Sequence, residues 1–570
     1  MPRHNSRPWL AAYPEGVPSD VPVPTGSVYS TLDAAAAVYP NNPAIDFMGR
    51  TTTYAALKNQ VDRAAAVLAA RGVTKGTVVA IALPNCPQHV VAFFALMRLG
   101  AVAVEHNPTY GPEQFAEQLM DCGASHAIIW DKVALIAQAA LPEGALDVIA
   151  VPLPAALPAR LRWALQLPIP KARRLKKEMT AGRRRQLPQW DRLIRSAQPI
   201  SADIPEPHTE DIALFQYTGG TTGTPKGAVL THANLLANGT QSIAWVPGLR
   251  PGEEVFYGAL PFFHAFGLML CITAPVRLGA LTVLFPKFDV NLILAAQRRR
   301  PGTFFPGVPP MFDRLVTAAT ADAAHPADLT SFRHAISGAM SLPGEVAKRW
   351  EEATGAWLIE GYGLTETSPI VLGNPISEAR QPGTLGVPFP STEARIADLD
   401  HPELDAPEGG RGELWVRGPQ VFSGYWRKPE ETAQCLTADG WFRTGDVVER
   451  TPDGFFRLVD RIKEVIITGG FNVYPSQVEE HLARMPQVAE VAVIGVPHPS
   501  LGERVVAAVV LADGAKLTLE QARAWCKDRI SRYAMPKQLV LLTELPRSQV
   551  GKVLRRAVRH QVLGSKQAAI

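Results

Sequence analysis

The densest concentration of groups able to hold phosphate runs Tyr217, Thr218, Gly219, Gly220, Thr221, Thr222, Gly223, Thr224, Pro225, Lys226, Gly227. Four glycines let the backbone turn tightly with its N–H groups facing one point, while four threonine hydroxyls and one lysine add further donors. The run follows an apolar strand-like stretch at 212–215 and precedes a helical pattern at 232–237. A Gly/Thr-rich linker is the bland alternative, but linkers seldom place Pro-Lys-Gly directly after a buried strand. It is not a Walker A loop, because Pro225 stands where that motif needs glycine before the lysine.

Other residues carry chemistry only in combination. Glu366 is the only acid in Gly361-Tyr-Gly-Leu-Thr-Glu-Thr367, Asp446 closes Thr444-Gly-Asp446, and Lys552 ends Pro546-Arg-Ser-Gln-Val-Gly-Lys552. Taken singly they read as a structural turn, turn chemistry and a solvated lysine near Arg547, Arg555 and Arg556. With the 217–227 loop and Asp460-Arg-Ile-Lys463, in this order, they resemble the signatures of the adenylate-forming superfamily. That superfamily comprises acyl- and aryl-CoA synthetases, peptide-synthetase adenylation domains and beetle luciferases. The resemblance covers roughly residues 25 to 560.

The resemblance implies a role for each residue. The 217–227 loop with Lys226 holds ATP phosphates. Gly338 and Ala339, within Ser337-Gly-Ala-Met-Ser-Leu-Pro343, give backbone contacts to the adenine edge, and Tyr362, flanked by Gly361 and Gly363, lies flat on the purine. Thr365 shares that segment. Glu366 is a hard oxygen donor for Mg²⁺, with Thr218 as its partner. Asp446 accepts from the ribose hydroxyls, and Arg461 donates to the sugar or the α-phosphate. Lys463 is a hinge, Gly470 in Gly470-Phe-Asn-Val-Tyr-Pro475 lines a pantetheine tunnel, and Lys552 neutralises charge on the attacking carboxylate and α-phosphate. Lys552, Lys226, His264 and Glu366 are the implied catalytic set; ATP, Mg²⁺ and coenzyme A are the implied cofactors. The reaction needs no protein nucleophile, so the enzyme positions groups and stabilises charge, and domain motion gates the second step.

Substrate class rests on Leu260-Pro-Phe-Phe-His-Ala-Phe-Gly267. Phe262, Phe263, Phe266, Leu268, Met269 and Leu270 read either as the lining of an acyl tunnel, with His264 at its mouth, or as ordinary core. No Asp or Glu occurs between Pro261 and Ala274. Adenylation domains for amino acids use an acid there, so such a substrate is disfavoured. The motifs are similar to those of bacterial medium- and long-chain fatty acid–CoA ligases. Aryl- or dicarboxylate-CoA ligases and acyl-AMP ligases that load a carrier protein stay open. A non-catalytic regulator is opposed by the presence of Lys552, Glu366 and the loop glycines.

The elements that must position these groups follow from periodicity. Tyr54, Leu57, Val61, Ala64, Ala65 and Leu68 recur at helical spacing, with Gly72 as the C-cap, and apolar runs at 78–83, 127–130 and 281–285 read as buried strands. Alternating strands and helices predict an α/β fold with helix-flanked, largely parallel sheets. From about 383, short β segments such as 412–418 predict a small β-barrel or distorted sheet, and the last hundred residues, with strands at 491–496 and 505–511, predict a smaller α+β domain. The expected division is an AMP-binding N-terminal domain over 1–462, with an insertion at 160–195 and the β-barrel-like part from 383, and a mobile domain over 463–570.

Net charge is +4, too small to mark a nucleic-acid binder. Residues 160–195 nevertheless hold twelve Lys/Arg against Glu178 and Asp191, a local +10 that leaves −6 for the rest of the chain. Leu161, Trp163, Leu165, Leu167, Ile169, Leu175 and Trp190 interleave with the charge. This combination suits either an anionic membrane surface or a solvated, poorly ordered insertion. The five cysteines are scattered and read as reduced thiols. Without a signal-like h-region or a 20-residue apolar span, the expected location is cytoplasmic, with peripheral membrane contact through 160–195. The partners expected are a fatty acid, coenzyme A and that membrane surface, without nucleic acid; a homodimer is compatible with the sequence.

Overall fold

The computed structural model describes residues 7–567 apart from 23, 140, 182–186, 219–224, 322–326, 500, 528 and 549–550, with backbone only at 565–567. Backbone packing divides the chain into two compact units: Met1–Glu393 with Arg417–Phe442, and Ala394–Val416 with Arg443–Ile570.

The first unit contains two sheets. One has six strands in the order Asp147–Val151, His126–Trp130, Val78–Ala82, Val102–Glu105, Ile212–Thr218, Lys226–Thr231. The first five are mutually parallel, and the last returns antiparallel as a hairpin. Val79, Ala80, Ile81 and Ala82 are buried because helices cover both faces, which is why this strand is a continuous apolar run. The other sheet has nine strands, ordered Val387–Pro388, Ile370–Gly373, Leu358–Gly363, His334–Ser337, Phe304–Gly307, Val255–Gly258, Leu281–Leu284, Pro43–Phe47, Arg50–Thr53, with antiparallel pairs confined to the ends. The helix Tyr54–Ala69 starts at Thr53, whose side chain accepts from the Ala56 N–H, and it buries the face expected from its spacing. It ends before Gly72, which sits in the left-handed region at φ +92° beyond an Ala70 cap.

In the second unit, Glu393–Ala397, Arg411–Arg417, Phe442–Arg450 and Phe456–Arg461 form a four-stranded sheet, which is where the Gly/Pro-punctuated β segments fall. A five-stranded sheet is built on the hairpin of Val488–His498 with Gly502–Leu511. Its side chains alternate between two cores. Val493, Val505, Ala507 and Val509 pack with Val478, Leu482, Ala522 and Cys526 on one face. Ala492, Ile494, Val496, Val506 and Ala508 pack with Val558 and Val562 on the other. All five cysteines are free thiols, and burial pushes Cys86, Cys122 and Cys271 up to about 12, so they are inert at neutral pH.

Residues 160–195 are not a featureless insertion. Ala159–Ala164, Pro170–Met179 and Trp190–Ser196 are helical. The Trp130 indole donates to the Met179 carbonyl at 2.9 Å, and Leu165, Ala172 and Trp190 are buried. Of the apolar side chains interleaved with charge, Trp190 is therefore core, whereas Trp163 is 78% exposed and Leu167, Ile169 and Leu175 are also exposed.

Candidate active site

The hairpin of Ile212–Thr218 and Lys226–Thr231 sets the frame, because register pairs Thr218 with Lys226 and Tyr217 with Gly227. Gly219, Gly220, Thr221, Thr222, Gly223 and Thr224 lie outside the described residues; Pro225 leads into the second strand. At Gly227 a Cβ would meet the Tyr217 ring at 3.4 Å and Trp426 at 3.7 Å, ordinary contact distances, so packing against these two rings does not itself require glycine. The Tyr217 hydroxyl donates to Asp121 at 2.5 Å, and burial together with that carboxylate raises its pKa above the ordinary phenol range. Tyr217 is thus tied to the helix Pro112–Cys122, which carries Asp121.

Glu366 sits on the single 3-10 turn Thr365–Thr367, buried, and that turn packs against both hairpin strands. Its carboxylate accepts from the Tyr425 hydroxyl at 2.5 Å, and its backbone carbonyl accepts from the Phe422 N–H at 2.9 Å. The Lys226 ammonium lies 5.0 Å from the centre of the Tyr425 ring. Lys226, Glu366 and Tyr425 therefore form one group beside the loop. Burial first, then the Glu366 carboxylate, raises the Tyr425 pKa, so the phenol stays a donor at neutral pH. Nothing in the sequence singled out Tyr425, which lies 59 residues from Glu366. Its only local signal is a Gly424-Tyr-Trp426 aromatic segment.

Gly361, Tyr362 and Gly363 end the strand Leu358–Gly363, with Tyr362 half-buried. A Cβ on Gly363 would stand 1.8 Å from the Pro369 carbonyl oxygen, so only glycine allows the chain to double back here. Gly338 is less tightly constrained: its Cβ would meet the Phe266 ring at 2.9 Å, and Ala339 follows in the left-handed region at φ +64°. The 337–339 turn, Gly361 and Phe266 are thus neighbours. The adjacent Glu360 carboxyl accepts from the Leu342 and Gly383 amides, yet burial dominates and raises it to about 6.

His264 caps the helix Ala265–Leu268: its Nδ1 accepts from the Phe266 N–H at 3.3 Å, which leaves Nε2 to carry the proton. Burial pushes the imidazole down to about 4, so it is neutral at pH 7. The segment continues through the π-helical turn Met269–Thr273, a local irregularity of the kind found at binding sites. Phe262, Phe266, Leu268, Met269 and Leu270 are buried. Gln216, on the strand that ends at the loop, donates from Nε2 to the Phe263 carbonyl at 2.7 Å. Asn85 accepts from the Phe262 N–H at 3.0 Å and donates to the Leu260 carbonyl at 2.7 Å. Both holding amides escaped the sequence reading, because nothing local to Gln216 or Asn85 reports a partner so distant in the chain.

The remaining candidates lie in the second unit. Asp446 belongs to the strand Phe442–Arg450 and not to a simple turn: Gly445 has φ +73° with its N–H on Glu413 at 3.0 Å, and the register slips after Val447 because Val459 bulges from the facing strand. Asp446 is buried and pairs across the sheet with Arg461, Nε to Oδ1 3.0 Å. Lys552 follows in the loop before the helix Arg555–Gln567, its N–H on Ser548 Oγ at 3.1 Å. Its pKa falls to about 8, chiefly through burial and then through Arg461, with Asp446 and Glu464 pulling the other way. Asp446, Arg461 and Lys552 are accordingly one electrostatic cluster. Lys463 is exposed on the turn Ile462–Glu464, and Gly470, at φ +82° with open space around it, joins Ile466–Thr468 to Phe471–Val473.

Comparison with known proteins now bears on this geometry. The AMP-binding enzyme family model matches residues 32–426, and the AMP-binding enzyme C-terminal domain matches 477–552. The chain is similar to a long-chain-fatty-acid–CoA ligase of Bacillus subtilis, 38% identical over 97% of both chains. A ligase of the same name from Yersinia pestis is 36% identical over 97% of this chain and 98% of its own. Among solved structures, ATP-bound MatB from Rhodopseudomonas palustris superposes with a TM-score of 0.80 at 28% identity, covering 94% of this chain and 99% of MatB.

Proposed function

The chain belongs to the AMP-binding enzyme family, and from that premise we propose that it is a medium- or long-chain fatty acid–CoA ligase. In the first half-reaction a carboxylate oxygen attacks the α-phosphorus of ATP, forming the acyl–AMP anhydride as pyrophosphate leaves. In the second, the coenzyme A sulfur attacks the acyl carbon, AMP leaves, and the thiol proton passes to solvent. The observation carrying the substrate reading is the Gln216–Phe263 hydrogen bond. It ties the strand that ends at the phosphate loop to an apolar segment free of Asp and Glu.

The assigned roles are these. Lys226 and the loop amides hold the β- and γ-phosphates. Tyr362 and the Gly338–Ala339 backbone face adenine, Asp446 and Arg461 hold ribose, and neutral His264 borders the acyl site. Lys552 stabilises charge during adenylation, Lys463 is the hinge dividing 1–462 from 463–570, and Gly470 borders the pantetheine path. Mg²⁺ fits the donor set: Glu366 supplies one buried carboxylate beside the hairpin, with Thr218 nearby on it, and Mg²⁺ is ordinarily held by one or two carboxylates plus substrate phosphates. Bound there, it would neutralise phosphate charge. A panel of palmitate, octanoate, benzoate and pimelate tests the reading by pyrophosphate release. Palmitate or octanoate leading supports it, whereas benzoate or pimelate leading replaces it with an aryl- or dicarboxylate-CoA ligase.

The reading extends to delivery of the acid. Among the described residues no helix is long and apolar enough to cross a membrane. Trp163, Leu167, Ile169 and Leu175 are exposed among the cations of 160–195, which suits peripheral contact with an anionic bilayer. Each Lys or Arg near such a surface contributes about 1 kcal/mol. Lys171→Glu, Arg174→Glu and Trp163→Ser together should therefore lower partition onto phosphatidylglycerol vesicles by at least tenfold in a sedimentation assay. Turnover of octanoate in solution should be unchanged. These substitutions leave Trp190 in place, which deletion of the whole segment would not.

A further inference from the structure

We propose that Tyr425 is a positioning residue for adenylation: its hydroxyl fixes the Glu366 carboxylate while its ring carries the Lys226 ammonium. The inference rests on the assignment of Glu366 and Lys226 to metal and phosphate made above.

The backbone around Tyr425 leaves it little freedom. Tyr425 pairs with Ala228 of the strand Lys226–Thr231 as an isolated antiparallel bridge, with Val229 N–H on the Gly424 carbonyl at 2.9 Å and Trp426 N–H on the Gly227 carbonyl at 2.8 Å. Tyr425 N–H donates to Thr432 Oγ1 at 2.9 Å, and the Phe422 ring packs edge-on against the phenol at 5.0 Å. Phe422 also holds the Glu366 carbonyl at 2.9 Å, so one five-residue stretch grips Glu366 by backbone and side chain while pairing with the strand of Lys226. The ring's packing would be supplied equally by phenylalanine. What the hydroxyl adds is a charge-assisted bond at 2.5 Å that selects one orientation of the carboxylate. Lys226, at 5.0 Å from the ring centre, rests on the same side chain. The acid meant for the metal and the cation meant for phosphate are thereby spaced before the nucleotide arrives.

The test is ATP binding by calorimetry, without acyl substrate, across a Mg²⁺ series. Removing a group that orients a metal ligand typically costs about 10–100-fold in metal affinity. Tyr425→Phe should raise the Mg²⁺ midpoint for ATP binding by that factor, with pyrophosphate release recovering as Mg²⁺ is increased. In a Glu366→Ala background, where the carboxylate is gone, the Tyr425→Phe change should add no further shift, because the hydroxyl acts through the carboxylate. An unchanged midpoint overturns the proposal, whether or not the melting temperature falls. So does an activity loss that high Mg²⁺ does not recover, or a full additional shift in the Glu366→Ala background. Failure of the unsubstituted protein to bind ATP with Mg²⁺ would overturn the underlying function as well.

Discussion

Lys552→Ala loses adenylate formation by roughly two to three orders of magnitude, the usual worth of one well-placed group stabilising transition-state charge. The same variant converts supplied acyl-AMP and coenzyme A to thioester at close to the normal rate. The reason lies in the cluster Asp446, Arg461, Lys552: burial and Arg461 bring the lysine down to about 8, so it is a cation at pH 7 with little to spare. Only the cation offsets charge on the carboxylate and α-phosphate. The kcat/KM for adenylation, which reports the free enzyme, should hence fall as pH rises through about 8, while thioester formation from acyl-AMP should show no such limb. Lys463→Pro gives the mirror image. Its 3-10 turn accepts the fixed φ of proline, so adenylation survives, but rotation about that bond is blocked and thioester formation fails. Equal impairment of both steps by Lys552→Ala would make the lysine structural or shared.

Glu366→Gln should lower Mg²⁺-dependent pyrophosphate release by roughly a hundredfold or more, since it removes the one carboxylate assigned to the metal. Glutamine is the informative substitution. Its amide oxygen can still accept from the Tyr425 hydroxyl, whereas alanine would leave that partly buried donor without its partner. Loss of activity with an unchanged melting temperature then isolates the charge. Near-normal activity at low Mg²⁺ would mean that another group holds the metal.

The strand at 212–215, the Gly/Thr run and the helix from His232 were legible because all three are local signals, but the returning strand Lys226–Thr231, which sets Thr218 opposite Lys226, was not. Gly363 read only as a flank that lets Tyr362 lie flat on a purine; the Pro369 carbonyl that demands glycine there was not visible. What escaped were groups held by tertiary partners. Gln216 gains meaning only from Phe263, 47 residues away, and Tyr425 only from Glu366 and Lys226. The 160–195 segment shows the same limit: its composition was plain, but which tryptophan faces inward depends on docking, and Trp190 is buried while Trp163 is not. Asp446 read as a turn because Thr-Gly-Asp is turn-like. It lies within the strand Phe442–Arg450, which takes in the left-handed Gly445 and keeps its pairing at Asp446.

The central claim is that acyl-AMP is made first and that coenzyme A then takes the acyl group. Mass spectrometry of the products from ATP, Mg²⁺ and palmitate, with and without coenzyme A, tests it most directly. Without coenzyme A, the account predicts palmitoyl-AMP retained on the enzyme together with pyrophosphate. With coenzyme A, it predicts palmitoyl-CoA and AMP in continuous turnover. Release of ADP and phosphate, or palmitoyl-AMP that forms but never passes to coenzyme A, would contradict it.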